Sequence, residues 1–205
     1  MKKCLAIILL FLLIPNTEAQ FFSDVPLNHW AYQYVEDLVG QGILDDGYFF
    51  KPERHLTRAE LVKIMVLATT GVLDDQFPAE SFFPDVDVSD WFYPYVQTAK
   101  ITGLVDGYTD GLFRPERNVI RAEAMKIIVN GLGLAKSSSP KVRFRDYSPG
   151  AWFHIYVATA YNSGLITGKV NKKGKKQMLF GPSDPITRAE MAKITSRGLD
   201  ISPMY

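Results

Sequence analysis

The chain has 205 residues, 47% of them hydrophobic and 22% charged, with a formal net charge of +1, so it can bury an ordinary hydrophobic core. Its single cysteine, Cys4, excludes an internal disulfide. No apolar run reaches the roughly 20 residues that a membrane-spanning helix requires.

Residues 1–19 are predicted to be a secretory signal peptide. A basic start, "MKK", precedes the apolar run Leu5–Ile14, and Ala19 closes a small-residue stretch that suits signal peptidase. Because Cys4 lies before the apolar run rather than after it, a lipid anchor is not expected. The mature chain would then begin at Gln20; an uncleaved N-terminal anchor is the alternative.

After the signal peptide the sequence contains three copies of one unit, and corresponding residues in the first half of each copy are 61 positions apart. We predict repeat 1 at residues 20–71, repeat 2 at 82–133 and repeat 3 at 141–199, joined by linkers. One such unit has too little core to stand alone, so the three are expected to pack into one body. Three residue types keep the spacing: Asp24, Asp85 and Asp146; Trp30, Trp91 and Trp152; Gly42, Gly103 and Gly164.

Each repeat is predicted to begin with an amphipathic helix. Trp30, Tyr34 and Leu38 are spaced by four residues, with Ala31 and Val35 alongside, which places them on one helical face. Gly42 follows where a glycine would end the helix in the left-handed conformation. The same pattern recurs in repeats 2 and 3.

A second helix is predicted to start at a motif that occurs three times, "LTRAEL", "VIRAEA" and "ITRAEM". Thr57 with Glu60, and Thr187 with Glu190, fit the capping box that satisfies helix N–H groups. Repeat 2 has Ile120 in place of the threonine and so lacks that cap. Two helices per repeat make the fold class all-α.

The same motif puts an arginine in the first helical turn, where a positive charge is unfavourable by some tenths of a kcal/mol. A bound anion would reverse the sign, because free helix N–H groups and a guanidinium would converge on it. The alternative is an ion pair between repeats, such as Arg58 with Asp85. The two can coexist, since an aspartate can hold the arginine in place. The arginines are Arg58, Arg121 and Arg188.

The sequence resembles the S-layer homology domain family. The resemblance rests on four features that recur in the same order in the repeats: "F-x-D", a tryptophan, "G-[IL]-[LVI]" and "TRAE". The resemblance covers roughly residues 22–199. It implies a pseudo-threefold bundle of three helix–loop–helix repeats with binding grooves between neighbours. It also implies an extracellular protein, attached non-covalently at the cell surface to an envelope glycopolymer. That polymer is often a pyruvylated secondary cell-wall polysaccharide and, in some outer-membrane proteins, modified peptidoglycan.

The resemblance also implies glycan-binding residues at four positions of each repeat. Other roles remain open: the tryptophans also suit the core, and the aspartates could cap the first helix or bind sugar hydroxyls. The glycines serve either backbone geometry or close approach of a ligand. The implied residues are Arg58, Arg121 and Arg188; Asp24, Asp85 and Asp146; Trp30, Trp91 and Trp152; and Gly42, Gly103 and Gly164.

Charge is unevenly distributed along the chain. Residues 20–135 carry 9 Lys/Arg against 17 Asp/Glu, whereas residues 136–205 carry 12 against 4. The lysine-rich stretch Lys169–Lys176 is either a solvated loop or a landing area for an anionic polymer. The polarity also allows an alternative function, an envelope adaptor that self-associates or recruits another protein. Nucleic acid is not an expected partner of an exported protein without recognition motifs.

No pattern indicates an enzyme or a cofactor. "DVDVSD" at Asp85–Asp90 imitates the start of a calcium-binding loop, but it lacks the required glycine at position six and glutamate at position twelve. The histidines form no pair with metal-ligand spacing, and no G-x-S-x-G motif is present. We therefore expect a binding protein without a metal site.

Overall fold

A computed structural model describes residues 21–71, 80–137, 144–169, 174–175 and 177–202. The predicted signal peptide and most of the lysine-rich stretch lie outside these residues. So do residues 72–79 of the first predicted linker and residues 138–140 of the second.

In the described ranges the chain forms six α-helices and no β-strand. None of these helices combines the length and the apolar character needed to cross a membrane. The predicted all-α fold with two helices per repeat is confirmed. The helices are α1 Tyr32–Gly40, α2 Arg58–Thr70, α3 Tyr93–Ile101, α4 Arg121–Gly131, α5 His154–Asn162 and α6 Arg188–Leu199.

The helices pack as a closed ring. The first helix of each repeat lies against the second helix of the preceding repeat, so that α3 packs on α2 and α5 on α4. The ring closes because α1 packs on α6, where Ser196 Oγ donates to Asp37 Oδ2 at 2.6 Å. The second helices meet inside the ring through the contacts of α2 with α4 and α6. This is the pseudo-threefold bundle that the family resemblance implied.

Three backbone hydrogen bonds form a cycle at the centre of the ring. Leu56 N–H donates to Ile186 O at 3.0 Å, Ile186 N–H to Val119 O at 2.9 Å, and Val119 N–H to Leu56 O at 3.0 Å. All three side chains are fully buried. The segments that lead into α2, α4 and α6 therefore surround one axis and hold the three repeats in register.

The second helices begin as predicted in two repeats. Thr57 Oγ1 accepts from Glu60 N–H at 3.3 Å, and Glu60 Oε2 accepts from Thr57 N–H at 2.9 Å, which completes a capping box. The same box is present at Thr187 in α6. At Ile120 no side chain caps α4, but Arg121 N–H donates to Asp184 O of the next repeat at 2.9 Å. The neighbouring carbonyls thus bind the first N–H groups of α4 as they do those of α2 and α6, without replacing the threonine cap.

The first helices start later than the sequence pattern indicated. Helix α1 begins at Tyr32, and its inward face is Ala31, Val35 and Leu38, whereas Trp30 precedes the helix and is 49% exposed. The predicted apolar face is confirmed for Ala31, Val35 and Leu38 and is wrong for Trp30. The predicted end is confirmed, because Gly42 follows α1 with a φ of 70°.

Candidate functional site

Two cavities open between repeats. Groove A has a volume of about 430 Å³ and groove B of about 460 Å³. Each is formed by the loop and second helix of one repeat, completed by side chains from both other repeats, so each exists only in the assembled ring. Groove A includes Trp30, Arg121, Thr167, Lys169, Glu190 and Lys193. Groove B includes Arg58, Asp106, Tyr108, Glu123, Lys126 and Trp152.

The tryptophans lie at the surface rather than in the core. Trp30, Trp91 and Trp152 are 49%, 53% and 57% exposed. Trp30 lines groove A and Trp152 lines groove B, whereas Trp91 lines neither of these two cavities. The core interpretation of these residues is therefore wrong. An exposed indole face beside a cavity can stack on an apolar face of a sugar ring.

The aspartates hold the loop that follows each first helix. Asp85 Oδ1 accepts from Phe113 N–H at 2.8 Å, and Oδ2 accepts from Arg114 N–H at 2.7 Å. The bonds stabilise a strained backbone, because Arg114 has a φ of 59°. The same clamp joins Asp24 to Phe50 and Lys51, and Asp146 to Phe180 and Gly181.

The aspartates do not cap the first helices, whose N-cap positions are Ala31, Phe92 and Phe153. That interpretation is wrong because the helices begin well beyond the aspartates in the sequence. Both oxygens of Asp85 are also committed to backbone N–H groups. A direct role of the aspartates in glycan binding stays a prediction.

Two arginines of the repeated motif are held by contacts between repeats. Arg121 Nε donates to Phe180 O at 2.9 Å, and Nη1 lies 2.8 Å from Glu190 Oε1, although its N–H bonds are poorly aligned with that oxygen. Arg188 Nε likewise donates to Phe50 O at 2.7 Å, and its Nη1 lies 3.8 Å from a carboxylate oxygen of Glu60. The carboxylate partner is thus the glutamate of a neighbouring motif.

Arg58 is engaged differently. Its side chain is buried and forms no ion pair within the described part of the chain, and its Nε has no hydrogen-bond partner there. The guanidinium carbon lies 4.8 Å from the Tyr108 ring centroid and 5.0 Å from that of Phe113. Burial lowers the pKa of Arg58, while the nearby Tyr108 and Glu123 raise it. The predicted pairing of Arg58 with Asp85 is wrong, since Asp85 binds the loop.

The first two N–H groups of each second helix are not free donors, because carbonyls of a neighbouring repeat accept from them. Arg58 N–H donates to Arg117 O, and Ala59 N–H donates to Pro115 O, both at 3.0 Å. The corresponding groups of α4 and α6 are bound to neighbouring carbonyls in the same way. The expectation that these N–H groups converge on an anion is therefore wrong.

The sequence prediction missed lysines that line the grooves. Lys126 Nζ lies 3.4 Å from Asp106 Oδ2 in groove B. Lys193 Nζ lies 5.8 Å from the Trp30 ring centroid in groove A, and burial, followed by the nearby Arg197, lowers its pKa. The available signal was a lysine five residues after the arginine of every motif.

The glycines of the grooves are not the predicted ones. Gly42 and Gly103 end helices with positive φ, and a Cβ on either would meet no atom within 4 Å. Gly107 and Gly168 instead line the grooves, and a Cβ on Gly168 would lie 2.7 Å from Phe144 Cε1. Gly164 follows α5 with a φ of 75°. Ligand contact by Gly42, Gly103 and Gly164 stays a prediction.

No group of three or more His, Cys, Asp or Glu side chains within the described ranges is arranged to hold a metal ion. The chemistry available in the grooves is therefore recognition by aromatic rings, lysine and arginine cations, and carboxylates.

The family model and the relatives found by comparison with known proteins indicate the same family. The model of the S-layer homology domain matches residues 21–62, 82–125 and 143–192. The chain is 27% identical to the surface-layer 125 kDa protein of Lysinibacillus sphaericus over 192 residues, which are 92% of this chain and 16% of that protein. It is 25% identical to a cellulosome-anchoring protein of Acetivibrio thermocellus over 165 residues, 77% of this chain and 36% of that protein.

An endoglucanase of Bacillus sp. (strain KSM-635) is 30% identical over 118 residues, 58% of this chain and 12% of the enzyme. The chain thus spans a minor part of the length of each of these relatives.

Proposed function

The chain belongs to the S-layer homology domain family, and we propose that it attaches to the cell surface by binding an anionic cell-wall polysaccharide in grooves A and B. Family membership indicates a cell-surface location. The finer proposal is that the ligand is a secondary cell-wall polysaccharide with pyruvate ketals, whose carboxylates the groove cations would bind.

The observation that carries this proposal is the composition of the grooves. Each combines an exposed indole, Trp30 or Trp152, with a motif arginine and a lysine. A sugar ring stacked on the indole would bring a carboxylate substituent within reach of these cations. Cavities of 430 and 460 Å³ lie within the range of small-molecule sites, roughly 300–1,000 Å³.

The relatives support attachment rather than catalysis. A surface-layer protein, a cellulosome-anchoring protein and an endoglucanase have different names but share a segment similar to this chain. In the endoglucanase that segment is 12% of the protein. A module that accompanies such different proteins suits a common task, which we propose is non-covalent anchoring.

The test compares binding of the purified chain to isolated wall glycan and to the same glycan after removal of pyruvate. We expect sedimentation with the intact glycan and much weaker binding to the stripped form, because the carboxylate is lost. Equal binding to both forms would refute the pyruvate proposal. Capture of envelope proteins without any glycan binding would favour the adaptor alternative.

Two arginine variants separate ligand binding from structure. Arg58→Ala should weaken glycan binding roughly tenfold or more, because Arg58 has a donor to spare, and should lower the melting temperature less than Arg121→Ala, because it breaks no ion pair in the described part of the chain. Arg121→Ala should lower the melting temperature, because it orphans the Phe180 carbonyl and leaves Glu190 without its cation. Unchanged binding by a folded Arg58→Ala variant would exclude that arginine as a ligand contact.

A further inference from the structure

One position of the repeat carries a carboxylate in repeats 1 and 2 and a hydroxyl in repeat 3. Asp45, Asp106 and Thr167 are separated by 61 residues each. Asp45 Oδ2 lies 2.6 Å from Lys63 Nζ, and Asp106 Oδ2 lies 3.4 Å from Lys126 Nζ. In repeat 3 a threonine replaces this carboxylate, so the lysine that follows the motif loses the partner that it has in the other repeats.

The substitution leaves groove A with a cation that has no carboxylate partner. Arg121 lies against Glu190, and Lys169 pairs with Asp184. Lys193 forms no ion pair within the described ranges of the chain. Its Nζ lies 5.8 Å from the ring centroid of the half-exposed Trp30.

In groove B the position equivalent to Thr167 carries a negative charge. The side chain of Asp106 is 71% exposed and lies next to Lys126. Among the described residues that line this groove, Arg58 is a cation without an ion pair, and it is buried beneath Tyr108. An anion stacked near Trp152 would therefore approach the Asp106 carboxylate before it reached a cation.

We propose that groove A is the anion-selecting groove, in which Lys193 contacts the anionic substituent of a sugar stacked on Trp30, and that Thr167 is the residue that determines this specificity. Groove B then prefers a neutral sugar unit of the same polymer. This inference rests on the proposed function, because it assigns the charged and uncharged parts of the polysaccharide to different grooves.

The test is Thr167→Asp, with Thr167→Asn as the matched control of nearly equal size. Calorimetric titration at low salt would use soluble pyruvylated wall glycan and the same glycan after removal of pyruvate. We expect Thr167→Asp to weaken binding of the charged glycan roughly three- to tenfold. Thr167→Asn should weaken it much less, because it adds no charge, and the two variants should bind the stripped glycan equally.

The reciprocal variant, Asp106→Thr, should strengthen binding of the charged glycan, because it frees Lys126 in groove B. The proposal is overturned if the two Thr167 variants bind alike, or if Thr167→Asp weakens binding of both glycans equally. A wild-type chain that binds neither glycan would overturn the proposed function and this inference together. Unchanged melting temperatures, expected at the exposed Thr167, keep these outcomes separate from misfolding.

Discussion

The aspartate of each repeat acts on the groove through the backbone. Asp146 accepts from the N–H groups of Phe180 and Gly181, and the carbonyl of Phe180, which shares a peptide group with Gly181 N–H, accepts from Arg121 Nε. The carboxylate therefore fixes the peptide group that orients a groove arginine. The sequence predicted that an aspartate holds the arginine in place, but it did not predict that a backbone peptide group lies between the two side chains. The bonded residues are 34 positions apart, across a loop whose length varies among the repeats.

Replacing this carboxylate should be costly for stability. Asp85→Asn keeps the size of the side chain but removes one acceptor oxygen and the charge, so we expect the free energy of unfolding to fall by about 1.5–3 kcal/mol. Urea denaturation measures the change. Glu116→Gln, at an exposed position of the same repeat, is the control and should have almost no effect. Equal stability of the two variants would show that the clamp is unimportant.

The helix boundaries that the sequence predicted depend on local contacts. The capping box at Thr57 involves residues three positions apart, and Gly42 ends α1 through its own backbone conformation. Trp30 was misplaced because burial of a helical face depends on which neighbour packs against it. The spacing of four cannot distinguish Trp30 from the adjacent Ala31, which is the buried residue.

The glycine after each first helix should be required for its conformation rather than for space. Gly103 has a φ of 71°, and a Cβ there would meet no atom within 4 Å. Gly103→Ala should therefore lower stability by about 1–2 kcal/mol through backbone strain alone. The control is Gly150→Ala, at a glycine with equally open surroundings and without a positive φ, which should be unchanged or slightly stabilised. Matching urea midpoints for both variants would contradict the role assigned to the left-handed conformation.

The grooves belong to the whole ring rather than to any repeat. Groove A needs Trp30 from repeat 1 and Arg121 from repeat 2 to complete the cavity of repeat 3. The sequence predicted both residues, because each belongs to a pattern that recurs in every repeat. It did not predict the importance of Lys193 and Thr167, because that depends on the partner each faces in its own repeat.

Because the central hydrogen-bond cycle joins all three repeats, damage to one should destabilise the whole chain. Leu56→Ala removes a fully buried side chain at this cycle and should lower the free energy of unfolding by about 2–5 kcal/mol. Helix content can be followed by circular dichroism, and the environment of the tryptophans, one in each repeat, by fluorescence. Both signals should change in the same single urea transition. Leu27→Ala, at a residue that is 70% exposed, is the control and should leave the midpoint nearly unchanged. Two separated transitions in the Leu56→Ala variant would show that the repeats unfold independently, and that a groove could lose one wall while the other repeats stay folded.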